Sequence, residues 1–276
     1  MKKLFAVLGD PIAHSMSPAM HNDLFSIYGM DAHYHPFHVK RGSLEEAIKG
    51  LKAIGIAGFN ITVPHKETII PLLDEIDPLA KSIGAVNTVV NVNGKLIGYN
   101  TDGSGYVKGL IEEFPLINDK NVLIIGAGGA ARAIYFTMAE AGVRRVDISN
   151  RTVSKAEVIV EECPYAANSN VYGMNEAENI LGEYDLIIQT TPKGMAPDSF
   201  ELPLSLHNLN RDTFVSDIIY NPLETKFLGE AKKKGARIQN GLNMFVFQGA
   251  LAFEKWTGIF PETSRMKANI LTQLGG

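Results

Sequence analysis

The feature that most limits the fold of this chain is a short apolar run that ends in a glycine-rich turn and leads into a helical pattern. The run Val122-Leu123-Ile124-Ile125 is typical of a buried strand, and Gly126-Ala127-Gly128-Gly129-Ala130-Ala131 follows it directly. Glycines at this spacing permit a tight strand-to-helix turn and a close approach of the backbone to a pyrophosphate, which the N–H groups of the helix start then bind. A tight βα turn without a ligand is the alternative interpretation.

Strand and helix patterns alternate on both sides of this turn. Before it, apolar runs predict strands at 4–8, 33–39 and 58–63, helices that begin near Ser17 and Ser43, and a hairpin at Asn93-Gly94. Ser17 is the expected N-cap of the first helix, with Pro18 at the first helical position. After the turn, further strands are predicted at 145–149, 184–189 and 213–219. Such alternation predicts an α/β fold in which the second series of strands forms a mostly parallel sheet.

The end of the chain has a different pattern. Residues 242–256 are apolar nearly all round, which predicts a helix buried on most sides, and a last helix follows from about Pro261. A Rossmann-like dinucleotide-binding domain that ends near residue 240 is complete without these helices, so we expect them to pack on the first domain. The predicted domains are an N-terminal α/β substrate domain of residues 1–103 plus 242–276 and a dinucleotide-binding domain of residues 104–241.

Composition argues against several classes of partner. A formal net charge of −4 gives no support for a nucleic-acid or membrane-surface partner. The N-terminal apolar run breaks at Gly9-Asp10-Pro11, which is too early for a signal peptide. Cys163 is the only cysteine, so no intrachain disulfide can form, which fits a reducing compartment. We therefore expect a cytoplasmic protein, either a monomer or a homodimer, without nucleic-acid or membrane partners.

The loop after the next predicted strand bears on the identity of the cofactor. Dinucleotide sites for NAD usually place an Asp or Glu there to hold the ribose 2′-hydroxyl. This chain instead has Asn150-Arg151-Thr152, with Lys155 about one helical turn later. A cationic, hydroxyl-bearing loop suits a 2′-phosphate, so the sequence predicts NADP(H). Asp147 is the competing acidic candidate, but it lies inside the predicted strand.

Two further polar segments suggest a pair of groups that move a proton. Asn60-Ile61-Thr62-Val63-Pro64-His65-Lys66 ends an apolar run at a proline, so it brings Lys66 to the end of a strand, where α/β proteins bind ligands. Asn100-Thr101-Asp102-Gly103 is a second such loop. Lys66 is the candidate acid/base and Asp102 its orienter. The alternatives are a solvated lysine at a helix start and a turn or cap aspartate. Which of the two sets the pH dependence stays open, because interacting groups titrate jointly.

Other chemistry is not expected. His33 and His35 would point to one face of their strand and His38 to the other, and no nearby cysteine completes a ligand set, so no metal site is predicted. Cys163 precedes a proline without an evident activating base, so a nucleophilic role is not expected. The glycine turn lacks the Gly-Lys-Ser/Thr ending of a P-loop, which argues against phosphoryl transfer.

Taken together, these segments resemble the shikimate dehydrogenase family over nearly the whole chain. The motifs that carry the resemblance occur in the family's order: His14-Ser15-Met16-Ser17-Pro18, Asn60 to Lys66, Gly84-Ala85-Val86-Asn87-Thr88, Asn100 to Gly103, the glycine turn, Asn150-Arg151-Thr152, Thr190-Thr191-Pro192, Tyr220-Asn221-Pro222-Leu223-Glu224-Thr225 and Gln248-Gly249-Ala250. Two positions depart from the family pattern. Gln189 stands where many relatives have Asn, and Lys226 stands where proline is common, which puts local cofactor contacts in doubt rather than the reaction.

The resemblance implies NADPH-dependent reduction of 3-dehydroshikimate to shikimate in chorismate and aromatic amino-acid biosynthesis. It implies substrate-binding roles for Ser15, Ser17, Asn60, Thr62, Asn87, Tyr220 and Gln248, with the two serines and Tyr220 at the substrate carboxylate and the others, with Asp102, at ring hydroxyls. It implies cofactor-binding roles for Gly126, Ala127, Gly128, Gly129, Ala130, Asn150, Arg151, Thr152, Lys155, Thr190, Gly241 and Met244, the last three near the nicotinamide and its ribose.

Two other functions remain open at this point. One is a quinate/shikimate dehydrogenase of the same superfamily that uses NAD or both cofactors. The other is a non-catalytic, ligand-sensing relative that keeps the nucleotide-binding fold. Retention of both Lys66 and Asp102 argues against the second, since a sensor needs no acid/base pair.

Overall fold

The computed structural model describes residues 2–196 and 199–275 and divides into two compact units. The first unit comprises Met1–Thr101 and Val246–Gly276, and the second comprises Asp102–Phe245. The domain boundaries predicted from the sequence, at residues 103/104 and 241/242, lie a few residues from these. They stay a prediction of where the folding domains begin and end.

The first unit contains a six-stranded mixed sheet. Its strands are β1 (Lys3–Gly9), β2 (Ala32–His38), β3 (Gly58–Ile61), β4 (Glu75–Ile76), β5 (Thr88–Val92) and β6 (Lys95–Tyr99). They lie in the order β2-β1-β3-β5-β6-β4. β1 is parallel to β2 and β3, whereas β5 is antiparallel to β3 and β6. The expected hairpin joins β5 to β6 through Asn93 and Gly94, whose φ angles are 53° and 90°.

Helices cover this sheet. Those of the first unit are α1 (Ser17–Ile27), α2 (Leu44–Ala53), α3 (Pro78–Ile83) and α10 (Thr263–Gln273), while α9 (Leu242–Thr257) begins in the second unit and ends in the first. α2 contributes Ile48 and Leu51 to the buried core beside Leu8 and Phe59 of the sheet. The end of α9 is held by Trp256, whose indole N–H donates to the Val89 carbonyl at 3.0 Å.

The second unit contains a six-stranded, wholly parallel sheet. Its strands are β7 (Asn121–Ile125), β8 (Arg145–Ser149), β9 (Val171–Tyr172), β10 (Leu186–Gln189), β11 (Phe214–Asp217) and β12 (Arg237–Gln239). Their order is β12-β11-β10-β7-β8-β9. This is the doubly wound Rossmann order, and it reverses direction between β7 and β10, where such sheets bind ligands.

Five helices pack on this sheet. They are α4 (Asp102–Ile111), α5 (Gly129–Glu140), α6 (Val153–Glu161), α7 (Met174–Ile180) and α8 (Lys226–Lys233). Single 3₁₀ turns lie at Ile70–Leu72 in the first unit and at Ile117–Asp119 and Leu181–Glu183 in the second. In the part of the chain described, no helix combines the length and the apolar composition needed to cross a bilayer.

The predicted fold class is confirmed, while several element ends differ from the prediction by one or two residues. The prediction of Ser17 as N-cap is wrong: Met16 is the N-cap and Ser17 is the first helical residue of α1. The Ser15 side chain accepts the Ser17 N–H at 3.4 Å, so a serine does serve this helix start, two residues earlier than the helix. β3 ends at Ile61 rather than at residue 63, because a tight turn begins at Thr62.

Candidate functional site

Lys66 follows the tight turn that ends β3. Across a cis Val63–Pro64 peptide bond, the His65 N–H donates to the Thr62 carbonyl at 2.9 Å. The Lys66 carbonyl then accepts the Val86 N–H at 2.8 Å. Two backbone hydrogen bonds therefore fix the segment from which the lysine side chain extends, and that side chain is half-buried.

His65 supports the same turn from inside the unit. It is 2% exposed, and its Nε2 lies 2.6 Å from the Val39 carbonyl, just beyond the end of β2. Since a backbone carbonyl only accepts, Nε2 must carry the proton. His65 thus holds the turn that precedes Lys66.

Ser15 and Ser17 lie at the start of α1. The Ser15 N–H donates to the Ile12 carbonyl at 3.0 Å, and its hydroxyl oxygen accepts the Ser17 N–H at 3.4 Å. Ser17 is buried and Ser15 is half-buried. Because the Ser15 oxygen acts as an acceptor here, its hydroxyl proton remains available for an anionic ligand.

A buried network of hydrogen bonds joins β2, β3 and β5 to Thr101, the second residue after β6. The Tyr34 hydroxyl donates to Asn60 Oδ1 at 2.7 Å, and Asn60 Nδ2 donates to the Asn87 carbonyl and to Thr88 Oγ1, both at 3.0 Å. Asn87 Oδ1 accepts the Thr88 hydroxyl at 3.0 Å and the Thr101 N–H at 2.8 Å. All five residues are buried, so the network holds Asn60 and Asn87 in one orientation.

The network limits what Asn60 can offer a ligand. Both of its amide protons are donated within the protein, and its oxygen already accepts from Tyr34. A carbonyl oxygen has two lone pairs, so one acceptor position remains. Direct binding of a ring hydroxyl by Asn60 stays a prediction, supported by that single position.

Tyr34 is a member of this network that no sequence motif indicated. Alternation along β2 leaves His33 and His35 exposed and turns Tyr34 inward, where it is 1% exposed. A lone aromatic residue between two outward histidines was therefore an available signal that Tyr34 is buried. Its partner was not available, because Asn60 lies 26 positions away in the chain.

Glycines set the position of two predicted polar residues. Asp102 opens α4, at the positive end of the helix dipole. Gly103 follows it, and a Cβ there would overlap the α5 backbone. Gln248 is half-buried on α9, and a Cβ at the neighbouring Gly249 would overlap a methionine side chain of α1. Lys66 belongs to the first unit and Asp102 to the second, and their pairing stays a prediction.

The glycine turn of the second unit lies where β7 and β10 are neighbours. Gly126 has a φ of 112°, which L side chains rarely adopt, and a Cβ there would lie 2.6 Å from Thr190 Oγ1. The Thr190 hydroxyl donates to the Ile125 carbonyl at 2.7 Å. Thr190, predicted to lie near the nicotinamide ribose, is thus in direct contact with the turn predicted to bind the pyrophosphate.

The start of α5 has the features of an anion site. Its N-cap residue, Gly128, provides no side-chain hydrogen bond, so the first N–H groups of the helix are not capped by that residue. Beyond the adjacent backbone, a Cβ added at Gly128 or at Gly129 would meet no atom of the described residues within 4 Å. These glycines are therefore not required by internal packing, and the open space above them fits a pyrophosphate that approaches the backbone.

The loop after β8 presents free cationic side chains. Arg151, Thr152 and Lys155 are exposed, and Asn150 Nδ2 donates to the Thr152 carbonyl at 2.8 Å, which shapes the loop. Within residues 2–196 and 199–275, no carboxylate pairs with Arg151 or Lys155. Two cationic groups and a hydroxyl are thus open to a phosphate.

Asp147, the competing residue for a ribose hydroxyl, is fully buried. Its carboxylate pairs with Arg145 at 2.7 Å, accepts the Tyr184 hydroxyl at 2.6 Å and accepts the Asn170 N–H at 2.7 Å. A carboxylate with these three partners and no exposure is part of the sheet's structure. This removes the acidic residue that would favour NAD.

Gln189, one of the two departures from the family pattern, organises the loop after β10. Its Nε2 donates to the Thr191 carbonyl at 3.0 Å and to the Lys193 carbonyl at 3.1 Å, and its Oε1 accepts the Thr191 N–H. The glutamine is fully buried. The substitution of Gln for Asn therefore keeps a side-chain amide that fixes the loop carrying Thr190.

The loop after β11 and the start of α9 carry the remaining predicted residues. Gly241 contacts the Ile218 carbonyl so closely that any side chain would overlap it, and its N–H donates to the Ile219 carbonyl at 2.9 Å. The Tyr220 ring lies 4.9 Å from the Phe245 ring, and burial raises the pKa of its hydroxyl. Met244 is half-buried in the first turn of α9.

The predicted residues fall into two sets. The first unit holds Ser15, Ser17, Asn60, Thr62, Lys66, Asn87 and Gln248, and the second holds Asp102, Tyr220 and the predicted cofactor residues. No group of three or more His, Cys, Asp or Glu residues suited to a metal ion occurs among the residues with described positions.

Comparison with known proteins gives a consistent result along the chain. Family models match for the shikimate dehydrogenase substrate-binding domain at residues 7–89, for shikimate/quinate 5-dehydrogenase at residues 110–196 and for the shikimate 5′-dehydrogenase C-terminal domain at residues 241–271. An NADP⁺-dependent shikimate dehydrogenase of Geobacillus sp. (strain WCH70) is 58% identical over 277 residues, covering 100% of both chains.

Solved structures of shikimate dehydrogenases have the same fold as this chain. A shikimate dehydrogenase in complex with NADP⁺ superposes with a TM-score of 0.92 at 43% identity, covering 99% of this chain and 96% of that one. The Thermus thermophilus shikimate 5-dehydrogenase in complex with NADP(H) and shikimate has a TM-score of 0.87 at 37% identity, covering 97% and 98% of the two chains.

Proposed function

This chain belongs to the shikimate dehydrogenase family, and we propose that it catalyses the reversible, NADPH-dependent reduction of 3-dehydroshikimate to shikimate. The observation that carries the proposal is the buried network around Asn87, beside the Val86 N–H that holds Lys66, in a chain that matches NADP⁺-dependent relatives over its whole length. NADPH supplies the hydride when it is bound.

Lys66 has the acid/base role in this proposal. Reduction of a ketone builds negative charge on its oxygen, and an ammonium group within hydrogen-bond distance both stabilises that charge and protonates it. In the reverse direction the neutral lysine removes the proton from the alcohol. Asp102 orients the ammonium and the substrate hydroxyl, a task for which its place at the start of α4 provides a fixed backbone.

Recognition of the substrate divides between its carboxylate and its hydroxyls. Ser15 and Ser17 offer hydroxyl protons to the carboxylate, with Tyr220 nearby. Thr62, Asn87 and Gln248 bind ring hydroxyls, and Asn60 contributes through its one open acceptor position. The first unit prepares these groups before substrate arrives, because the buried network already holds Asn60 and Asn87 in place.

NADP(H) is the cofactor that the residues present fit. The uncapped start of α5 and the open space above Gly128 and Gly129 suit the pyrophosphate. Arg151, Thr152 and Lys155 suit the 2′-phosphate, since they are exposed and the one acidic competitor, Asp147, is buried and fully engaged.

One spectrophotometric assay tests the proposed function. Reduction of NADP⁺ is followed at about 340 nm, the wavelength at which the reduced dihydropyridine absorbs, first with shikimate, then with quinate, then with NAD⁺ in place of NADP⁺. We expect the highest kcat/KM with shikimate and NADP⁺. Comparable rates with quinate or NAD⁺ identify the broader quinate/shikimate dehydrogenase, and no turnover with any combination contradicts an enzymatic role.

The proposal also places the protein in the cytoplasm and in aromatic amino-acid biosynthesis, with the single cysteine as support for the compartment.

A further inference from the structure

We propose that Asp217 is a positioning residue that holds the loops after β10 and β11 in the arrangement required by the nicotinamide half of the cofactor. This inference rests on the proposed function, because it names a residue that the same site needs. Asp217 lies outside the sequence motifs described above.

Asp217 is the last residue of β11 and is fully buried. Its Oδ1 accepts the Ile219 N–H at 2.9 Å and lies 3.5 Å from Gln189 Nε2, while its Oδ2 accepts the Thr225 hydroxyl at 2.8 Å. One carboxylate therefore receives donors from the end of β10, from the second residue after β11 and from the N-cap of α8. This geometry uses both carboxylate oxygens as acceptors.

Gln189 connects Asp217 to the glycine turn through the loop after β10. The same Nε2 that approaches Asp217 donates to the Thr191 and Lys193 carbonyls, so the loop after β10 is built around it. Thr190 in that loop donates to the Ile125 carbonyl and contacts Gly126. A chain of direct contacts thus runs from Asp217 to the turn that binds the pyrophosphate.

Thr225 connects Asp217 to the start of α8, at the far end of the loop that follows β11. While its hydroxyl donates to Asp217, its oxygen accepts the Leu228 N–H at 3.3 Å and so caps α8. The segment between β11 and Thr225 contains Tyr220, and Gly241 pins the start of that segment through the Ile219 carbonyl. Both ends of the loop that carries Tyr220 are therefore tied to Asp217 or to its immediate neighbours.

The charge of Asp217 distinguishes it from an ordinary structural residue. Among the described residues, no Lys, Arg or His lies within salt-bridge distance of it, and the titratable side chain that faces it is that of Tyr106 on α4. Burial raises the pKa of Asp217 to about 6, against the lowering effect of its hydrogen bonds. An ionised, unpaired, buried carboxylate opposes folding, so its presence points to the loops that it orders rather than to stability.

Asparagine cannot replace both acceptors. Its side chain offers one acceptor oxygen and one donor nitrogen, so either the Thr225 hydroxyl or the Ile219 and Gln189 donors would meet another donor. Asp217→Asn therefore removes the buried charge and breaks one of the two links at the same time. Removal of the buried charge should favour the folded state, whereas loss of one link should displace the loops. Stability should therefore stay equal or increase while the loops lose their arrangement.

The test measures binding of NADP⁺ and of adenosine 2′,5′-bisphosphate by calorimetry, together with the unfolding midpoint near pH 7.5. The fragment carries the 2′-phosphate and one phosphate of the pyrophosphate but no nicotinamide, so it reports on the adenosine half of the site, which includes Arg151. For Asp217→Asn we expect Kd for NADP⁺ to rise roughly tenfold, Kd for the fragment to stay within about twofold, and the unfolding midpoint to stay equal or increase. Gln189→Leu, which leaves the carboxylate intact, should give the same split between the two ligands.

Asp147→Asn is the matched control, since Asp147 is another buried carboxylate of this sheet but is paired with Arg145. It should lower the unfolding midpoint and leave the ratio of the two Kd values unchanged. Equal weakening of both ligands, unchanged NADP⁺ binding, or a lowered midpoint in Asp217→Asn would overturn the positioning role. Failure of the wild-type protein to bind either ligand would instead contradict the proposed function.

Discussion

The two units prepare their ligand sites in different ways. In the first unit, polar side chains are tied to one another, as in the buried contacts of Tyr34, Asn60 and Asn87. In the second unit, the proposed binding groups are backbone N–H groups at the start of α5, which its N-cap residue does not cap, and exposed side chains such as Arg151. The first arrangement is fixed before the ligand arrives, and the second leaves its groups open to it.

This difference follows from the ligands. A substrate with several neutral hydroxyls is distinguished by the direction of each hydrogen bond, so the side chains that bind it must not rotate. A dinucleotide is recognised largely through phosphates, for which charge and convergent N–H groups suffice. Substitutions in the first unit should therefore change the handling of shikimate, and those at the glycine turn or Arg151 the binding of NADP⁺.

The largest effect is expected for Lys66→Ala, because it removes the proposed acid/base from the first unit. kcat should fall by roughly 10²–10⁴ with a smaller change in both KM values. Steady-state kinetics with shikimate and NADP⁺ measure this. Lys52→Ala is a suitable control, since Lys52 lies in the same unit but forms only an exposed ion pair with Asp74. A Lys66→Ala enzyme with near-normal kcat would remove Lys66 from the chemistry.

Gly128→Ala tests the open backbone of the second unit. Beyond the adjacent backbone, a Cβ there meets no atom of the described residues within 4 Å, so the unfolding midpoint should hardly change. The same methyl group would occupy space that the pyrophosphate needs, so Kd for NADP⁺ should rise roughly tenfold or more. Thermal unfolding and calorimetry separate the two effects. Gly126→Ala should instead lower the midpoint as well, because its φ is 112° and its Cβ would press on Thr190.

Arg151→Ala probes the cationic loop of the second unit. Loss of a charge-assisted bond to the 2′-phosphate should reduce the preference for NADP⁺ over NAD⁺ in kcat/KM by roughly tenfold. KM for shikimate should not change, because Arg151 belongs to the second unit and most of the proposed substrate-binding groups belong to the first. Kinetics with both cofactors measure the preference. An unchanged preference would assign 2′-phosphate recognition to other residues.

Tyr34→Phe tests the network of the first unit. Without the hydroxyl, Asn60 Oδ1 loses its 2.7 Å donor, and Asn60 gains freedom to rotate. We expect KM for shikimate to rise by roughly three- to tenfold, while Kd for NADP⁺ is unchanged. Tyr28→Phe, at a partly exposed position on the same unit, should change neither. Equal effects on substrate and cofactor would show that the network serves general stability instead.

The smallest effect concerns a buried residue beside this network. His21 is fully buried against the Tyr34 and Trp256 rings, and neither ring nitrogen has a hydrogen-bond partner among the described residues. Burial lowers the pKa of His21 to about 3. Between about pH 6.5 and about pH 3, His21 is protonated in the unfolded state and neutral in the folded state. Stability is therefore lost as pH falls from about 6.5 toward about 3.

His21→Phe should remove this acid sensitivity and add about 1 kcal/mol at pH 7.5, because two unpartnered buried nitrogens disappear. Urea unfolding at pH 7.5 and pH 5 measures both effects. An equal loss of stability on acidification in wild type and variant would assign the sensitivity to another group. Asp217 contributes with the opposite sign, since a raised carboxyl pKa gives stability that is lost as pH rises through about 6.

Local features were predictable to the extent that their physical cause is local. The Asn93-Gly94 hairpin and the turn at Gly126 follow from backbone conformations that few residues adopt, and the structure contains both. The N-cap of α1 was not predictable, because Ser15 and Ser17 are equally suitable residues and only the backbone path of residues 12–17 decides between them. β3 ends at Ile61 rather than at residue 63 for a similar reason, since the backbone path of the turn that begins at Thr62 decides where the strand stops.

The sequence by itself determined the fold class, the family and the kinds of chemical group available, because alternation, glycine spacing and motif order are properties of short segments. The tertiary structure alone decided which polar side chains already have partners. Asp147 proved to be engaged by Arg145 and Tyr184, Asn60 by Tyr34, and Asp217 by three donors from three segments. A hydrogen bond depends on distance and angle between groups far apart in the chain, and only folding sets these.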